Sequence, residues 1–118
     1  MSFKTFVTIL IAVHGLVHLI GFLRAFNLME GKNYHVPVSR LLGLAWLLAF
    51  FLFEAMAYLL LIGNNNWWIM GIAAIILSQL LIIRHWKDAM FGTIPNIVII
   101  YAIIIDFGIR QLISQTPA

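Results

Sequence analysis

The sequence has no cysteine, three prolines, and only seven Lys and Arg beside four Asp and Glu in 118 residues. Without cysteine there can be no disulfide, thiolate metal site, Fe–S cluster, covalently attached haem or thiol nucleophile. The shortage of charge excludes a soluble monomer. A domain this small is mostly surface and ordinarily carries about 25% charged residues, whereas 9% are charged here. The few basic residues form no block of four and interleave with no aromatic platform, which argues against nucleic acid as a partner. A phosphate-binding glycine loop is also missing. Ser2, Ser39, Ser78 and Ser114 lack a neighbouring His or Asp pattern, so an independent enzyme is not expected.

What the chain does have is apolar length: 64% of its residues are hydrophobic. A helix needs roughly 20 apolar residues to cross a bilayer core of about 30 Å. Four stretches meet or approach that length, at about residues 3–25, 41–62, 67–83 and 91–113. The apolar runs are continuous rather than alternating, which excludes a β-barrel. The expected fold is all-α: one membrane domain over residues 1–118, a bundle of four transmembrane helices with short loops. Residues 5–23 carry no charge, and no small-residue cleavage site follows them, since Arg24, Phe26 and Met29 stand there. The first stretch therefore reads as a retained helix rather than a signal peptide.

The connections agree with this reading. Residues 27–40 include Gly31, Lys32, Asn33 and Pro37, which favour an interfacial loop. Gly63-Asn64-Asn65-Asn66 is a tight polar turn that makes spans 2 and 3 antiparallel neighbours. Arg84-His85-Trp86-Lys87-Asp88 links spans 3 and 4, with Arg84, Lys87 and Asp88 expected as an interfacial charge cluster. Residues 114–118 read as a frayed tail. Arg24, Lys32, Arg40, Arg84 and Lys87 fall on one side and only Lys4 and Arg110 on the other. That bias places loops 26–40 and 84–90 in the cytoplasm and both termini outside. Trp67, Trp68 and Trp86 mark span ends and read as membrane-interface anchors.

Ionisable groups inside a span are costly and usually face the bundle interior or a hydrated cavity. Here they are His14, His18, Glu54 and Asp106, accompanied by Tyr58, Ser78, Gln79, Asn96 and Tyr101. A helical rise of about 1.5 Å per residue sorts them into three depths. His14, Tyr101 and Glu54 lie near the midplane. His18, Ser78, Gln79 and Asn96 lie roughly 5–6 Å toward the cytoplasmic side, and Tyr58 and Asp106 about 9–10 Å toward the other.

His14 and His18 are four residues apart and share one helix face. With Glu54 from a second helix they form a feasible ligand set for Zn, Fe, Mn or Cu, or a proton relay. Bis-His haem is disfavoured because His85 sits at a span end and His35 in a loop. The bland reading is interhelical hydrogen-bonding glue at about 0.6–2 kcal/mol per bond, with Gln79, Asn96, Tyr101 and Asp106 in the same polar network. Small residues four apart, Ala45 with Ala49 and Ala74 with Ser78, permit close helix contact within one chain or in a homodimer.

His18-Leu19-Ile20-Gly21-Phe22-Leu23, Asn66-Trp67-Trp68, and Trp86-Lys87-Asp88-Ala89 leading into Phe91-Gly92-Thr93-Ile94-Pro95-Asn96 resemble a family of small bacterial four-helix membrane proteins of uncharacterised activity. The resemblance spans nearly the whole chain. It implies a four-helix fold and a bacterial inner membrane, and it supplies no activity, cofactor or functional residue.

The leading functional expectation is a non-enzymatic accessory or structural membrane component, with the bilayer, a membrane protein or a second copy as its partners. The first alternative is a protein that binds a metal, quinone or other cofactor, or relays protons, through His14, His18 and Glu54. A weaker alternative is an oligomeric channel or transporter.

Overall fold

A computed structural model describes residues 1–29 and 34–115. Gly31, Lys32 and Asn33 of the expected interfacial loop and residues 116–118 of the expected tail lie outside the described residues. The regular structure of the described residues is all helical: α1 (Phe3–Ala25), α2 (Arg40–Leu61), α3 (Trp67–Arg84), a short α4 (Trp86–Ala89), a 3₁₀ turn (Met90–Gly92) and α5 (Thr93–Gln115). Four helices among the described residues are long and apolar enough to cross a membrane.

Local chemistry sets the ends. Ser2 and Ser39 cap α1 and α2, their hydroxyls accepting from the backbone N–H of Thr5 and Leu42 at 3.1 and 3.2 Å. α1 stops where Asn27 takes a left-handed backbone, φ 57°, so that Leu28 N–H reaches back to the Leu23 carbonyl. α2 stops the same way at Gly63, φ 77°, with Asn64 N–H returning to the Leu59 carbonyl. That conformation suits glycine because it carries no Cβ. The link between α3 and α5 is not a plain loop. It coils into α4 and the 3₁₀ turn, so the last long helix begins at Thr93 and Pro95 falls in its first turn.

α1 packs along α2 and α2 along α3, while α5 closes the ring by touching α1 and α3 over shorter stretches. Close approach of α1 to α2 uses Gly21: a Cβ there would run into the Trp46 indole. The main core joins Val7, Ile11, Phe53, Met56, Trp67 and Ile99, and a second cluster gathers Trp46, Ala49, Leu81 and Ile82 toward the α4 end. Ala49, Ala74 and Ser78 are fully buried, so these small residues serve packing inside the chain. The outward faces stay largely apolar, and on α5, the least buried of the long helices, Ile97, Ile104, Phe107 and Leu112 are about half exposed or more.

Candidate functional site

The polar residues of α1, α3 and α5 meet in one buried network. His18 sits one helical turn beyond His14, close enough for its Nδ1–H to donate to the His14 carbonyl at 2.8 Å. Its other nitrogen, Nε2, is then the acceptor for the Ser78 hydroxyl of α3 at 2.7 Å. Ser78 Oγ in turn accepts from Asn96 Nδ2 of α5 at 3.0 Å. Asn96 Nδ2 donates its second hydrogen to Gln79 Oε1 at 3.1 Å, and Gln79 Nε2 donates to Thr93 Oγ1 at 3.1 Å. The Asn96 carbonyl oxygen accepts from His14 Nε2–H at 2.8 Å, which closes the circuit.

Each group has one consistent assignment of donor and acceptor. That assignment fixes the neutral tautomers: His18 carries its proton on Nδ1 and His14 on Nε2. One valence stays open, because no hydrogen bond from the described residues reaches His14 Nδ1.

The other polar residues singled out from depth go elsewhere, because depth fixes height and not rotation. Tyr101 is five residues beyond Asn96, about 140° further around α5, and it faces outward at 62% exposure. Tyr58 is equally exposed. Asp106 lies at the opposite end of the bundle, where its Oδ2 accepts from Trp67 Nε1 at 3.2 Å and from Arg110 Nε at 2.8 Å. Trp67, expected as an interface anchor, is therefore a buried core residue, while Trp68 and Trp86 are the more exposed members of that set. Glu54 lies half-buried against Gly15. Its Oε1 is enclosed without a hydrogen bond, and it is joined to neither histidine. Among the described residues no three His, Cys, Asp or Glu side chains converge as metal ligands would.

Beyond His18 the aromatic stack continues. The Trp46 ring centre is 5.3 Å from that of His18 and 5.6 Å from that of His85. His85 is buried and donates Nδ1–H to the Leu81 carbonyl at 3.0 Å, which leaves its Nε2 an enclosed acceptor. Trp46 Nε1–H is likewise enclosed without a partner. Burial lowers the His85 pKa from its ordinary value, against the raising effect of the Leu81 carbonyl.

A cavity of about 200 Å³ runs alongside this stack, from His14 and His18 past Gly21 and Trp46 to Arg24 and Asp88 at the loop end. A strap crosses that end. Asp88 accepts the backbone N–H of His35 at 2.8 Å and of Val36 at 2.8 Å, together with His35 Nδ1 at 3.1 Å and Arg24 Nη2 at 3.4 Å. Arg24 also donates to the Val36 carbonyl at 2.6 Å and lies 3.7 Å from the centre of the Tyr34 ring. Burial pushes the Asp88 carboxyl up. The N–H groups of His35 and Val36, the His35 side chain and the Arg24 guanidinium outweigh it and hold the pKa at about 2.

The strap thus joins the two loops through Asp88, which faces Arg24 and His35 rather than its sequence neighbours Arg84 and Lys87. Arg24 and Asp88 stand at the same end in the sequence pattern, but their pairing has no local spacing to betray it. Thr93, Trp46 and His85 carried no sequence signal for a place in the site.

The chain matches no family model, no curated protein and no solved structure in comparisons with all three.

Proposed function

We propose that the protein is a small multi-pass membrane component without catalytic activity of its own, held together inside the bilayer by the His14–Asn96–Ser78–His18 circuit. The observation that carries this reading is the closed network itself. It ties α1, α3 and α5 with side-chain hydrogen bonds and leaves His14 Nδ1 open. A closed polar circuit between apolar helices holds them in register. Apolar outward faces suit lipid, and the short connections leave partners to be met within the bilayer or at its surface. The charge bias of the connections supports loops in the cytoplasm and termini outside, in a bacterial inner membrane as the sequence resemblance implies.

Two measurements test it. Detergent phase separation places a membrane protein in the detergent-rich phase, and recovery from the aqueous phase would sink the reading. Native mass spectrometry after gentle extraction should give the chain with lipid, as a monomer, a homodimer or a complex with another membrane protein.

The second reading is an intramembrane binding protein, favoured by the open valence of His14 beside a cavity. A metal held by His14, His18 and Glu54 has less support, since both ring nitrogens of His18 are engaged in hydrogen bonds and Glu54 is joined to neither histidine.

A further inference from the structure

We infer that the cavity beside His14 is a binding site for a single-ring phenol, the head group of a lipid-soluble hydroquinone, and that it takes the hydroquinone in preference to the quinone. The inference rests on the membrane reading only for the route of entry.

Size comes first. An enclosed space of about 150 Å³ accommodates benzene, so the roughly 200 Å³ here suits one six-membered ring with small substituents. Shape of access comes second. Val17 and Phe91 on the rim are exposed at 52% and 74%, so the cavity opens on the outer, lipid-facing side of the bundle, where an apolar tail would remain. At the loop end Arg24 is already committed to Asp88, the Val36 carbonyl and Tyr34, so no free charge awaits an anion.

Polarity decides the ligand's chemistry. The lining is mostly apolar, and Arg24 and Tyr34, in contact with each other, lie at the loop end. Deeper in, His18 uses both ring nitrogens, and His85 Nε2 and Trp46 Nε1 are enclosed. The group left there to meet a ligand is His14 Nδ1. Because Asn96 Oδ1 accepts the Nε2 proton, Nδ1 of the neutral ring is a lone pair. A lone pair needs a donor. A hydroquinone hydroxyl supplies one, whereas a quinone carbonyl would set acceptor against acceptor.

The test is calorimetric titration of the detergent-solubilised full chain, under anaerobic conditions, with decyl-hydroquinone, decyl-quinone and methyl-hydroquinone. Decyl-hydroquinone should bind at least about fivefold more tightly than decyl-quinone, the discrimination expected when one hydrogen bond is lost. Methyl-hydroquinone binding equally well would identify the ligand as a free phenol, and weaker binding identifies a lipid-borne head group. His14→Phe keeps a ring at the position but removes the Nδ1 lone pair, and it should abolish the preference. Val17→Trp blocks the rim from an exposed position, outside the hydrogen-bond network, and should abolish binding even if His14→Phe fails to fold. Equal affinity for the two oxidation states, undiminished binding by Val17→Trp, or no binding at all overturns the proposal. Phase separation of the same preparation tests the membrane reading separately.

Discussion

His14 donates from Nε2 to the Asn96 carbonyl oxygen across 2.8 Å, joining the first long helix to the last although the residues stand 82 apart in the chain. α1 and α5 touch over only a short stretch, so this bond and its continuation to Ser78 and His18 carry much of what orients α5. A neutral interhelical bond of this kind contributes about 0.6–2 kcal/mol.

The α1–α2 contact should be intolerant of side-chain volume at Gly21. A methyl group there collides with the Trp46 ring, which is itself held between His18 and His85 and has little room to retreat. Gly21→Ala is expected to cost about 1–3 kcal/mol, read as a lowered midpoint of thermal unfolding in detergent. Gly108→Ala is the control, because nothing lies within 4 Å of a Cβ at that position.

Stability should fall on the acid side partly through His85. Burial holds its folded pKa below the ordinary 6.5, so the unfolded chain binds the proton more readily. The resulting stabilisation is complete above 6.5 and is lost as the pH drops below that value toward the folded pKa. His85→Phe removes this contribution. Its unfolding midpoint should depend less steeply on pH than the parent's between about pH 5 and pH 7, and identical slopes would refute the assignment.

Asp88 should hold the strap across the loop end. Asp88→Ala leaves the N–H groups of His35 and Val36 and the Arg24 guanidinium without their acceptor. The expected cost is about 1–3 kcal/mol, and the amides of His35 and Val36 should exchange with deuterium faster than in the parent. The depressed pKa gives the sign of the pH effect. The Asp88 contribution is present above its ordinary 3.8 and is lost as the pH falls through about 2.

The absence of cysteine makes the proposed orientation easy to measure. Asn65→Cys, in the exposed turn after α2, should react with a membrane-impermeant maleimide added to intact cells. Lys87→Cys should react only after permeabilisation. The opposite pattern inverts the orientation.

The long helices were legible because their signals are local: uninterrupted apolar runs, broken by the polar turn Gly63-Asn64-Asn65-Asn66 and by the Arg84-to-Asp88 link. The layer of His18, Ser78, Gln79 and Asn96 was legible too, since helical rise converts position into depth. Rotation was not. It depends on which face packs, and that is settled by distant partners such as Trp46 against Gly21. Tyr101 therefore turned outward although its depth matched His14. Trp67 was drawn inward by Asp106 although its place at a span end suggested an anchor. The strap arose from residues far apart in sequence, Arg24 with Asp88 and Asp88 with His35, which no spacing rule connects.

Whether the buried circuit couples the helices energetically is measured by a double-mutant cycle on His14 and Asn96. His14→Ala, Asn96→Ala and the double variant would be unfolded thermally in the same detergent. The two substitutions should fail to add by about 0.6–2 kcal/mol, the worth of the bond they share. Costs that add to within about 0.3 kcal/mol would mean that the two side chains do not act together, and the account of the network would be wrong.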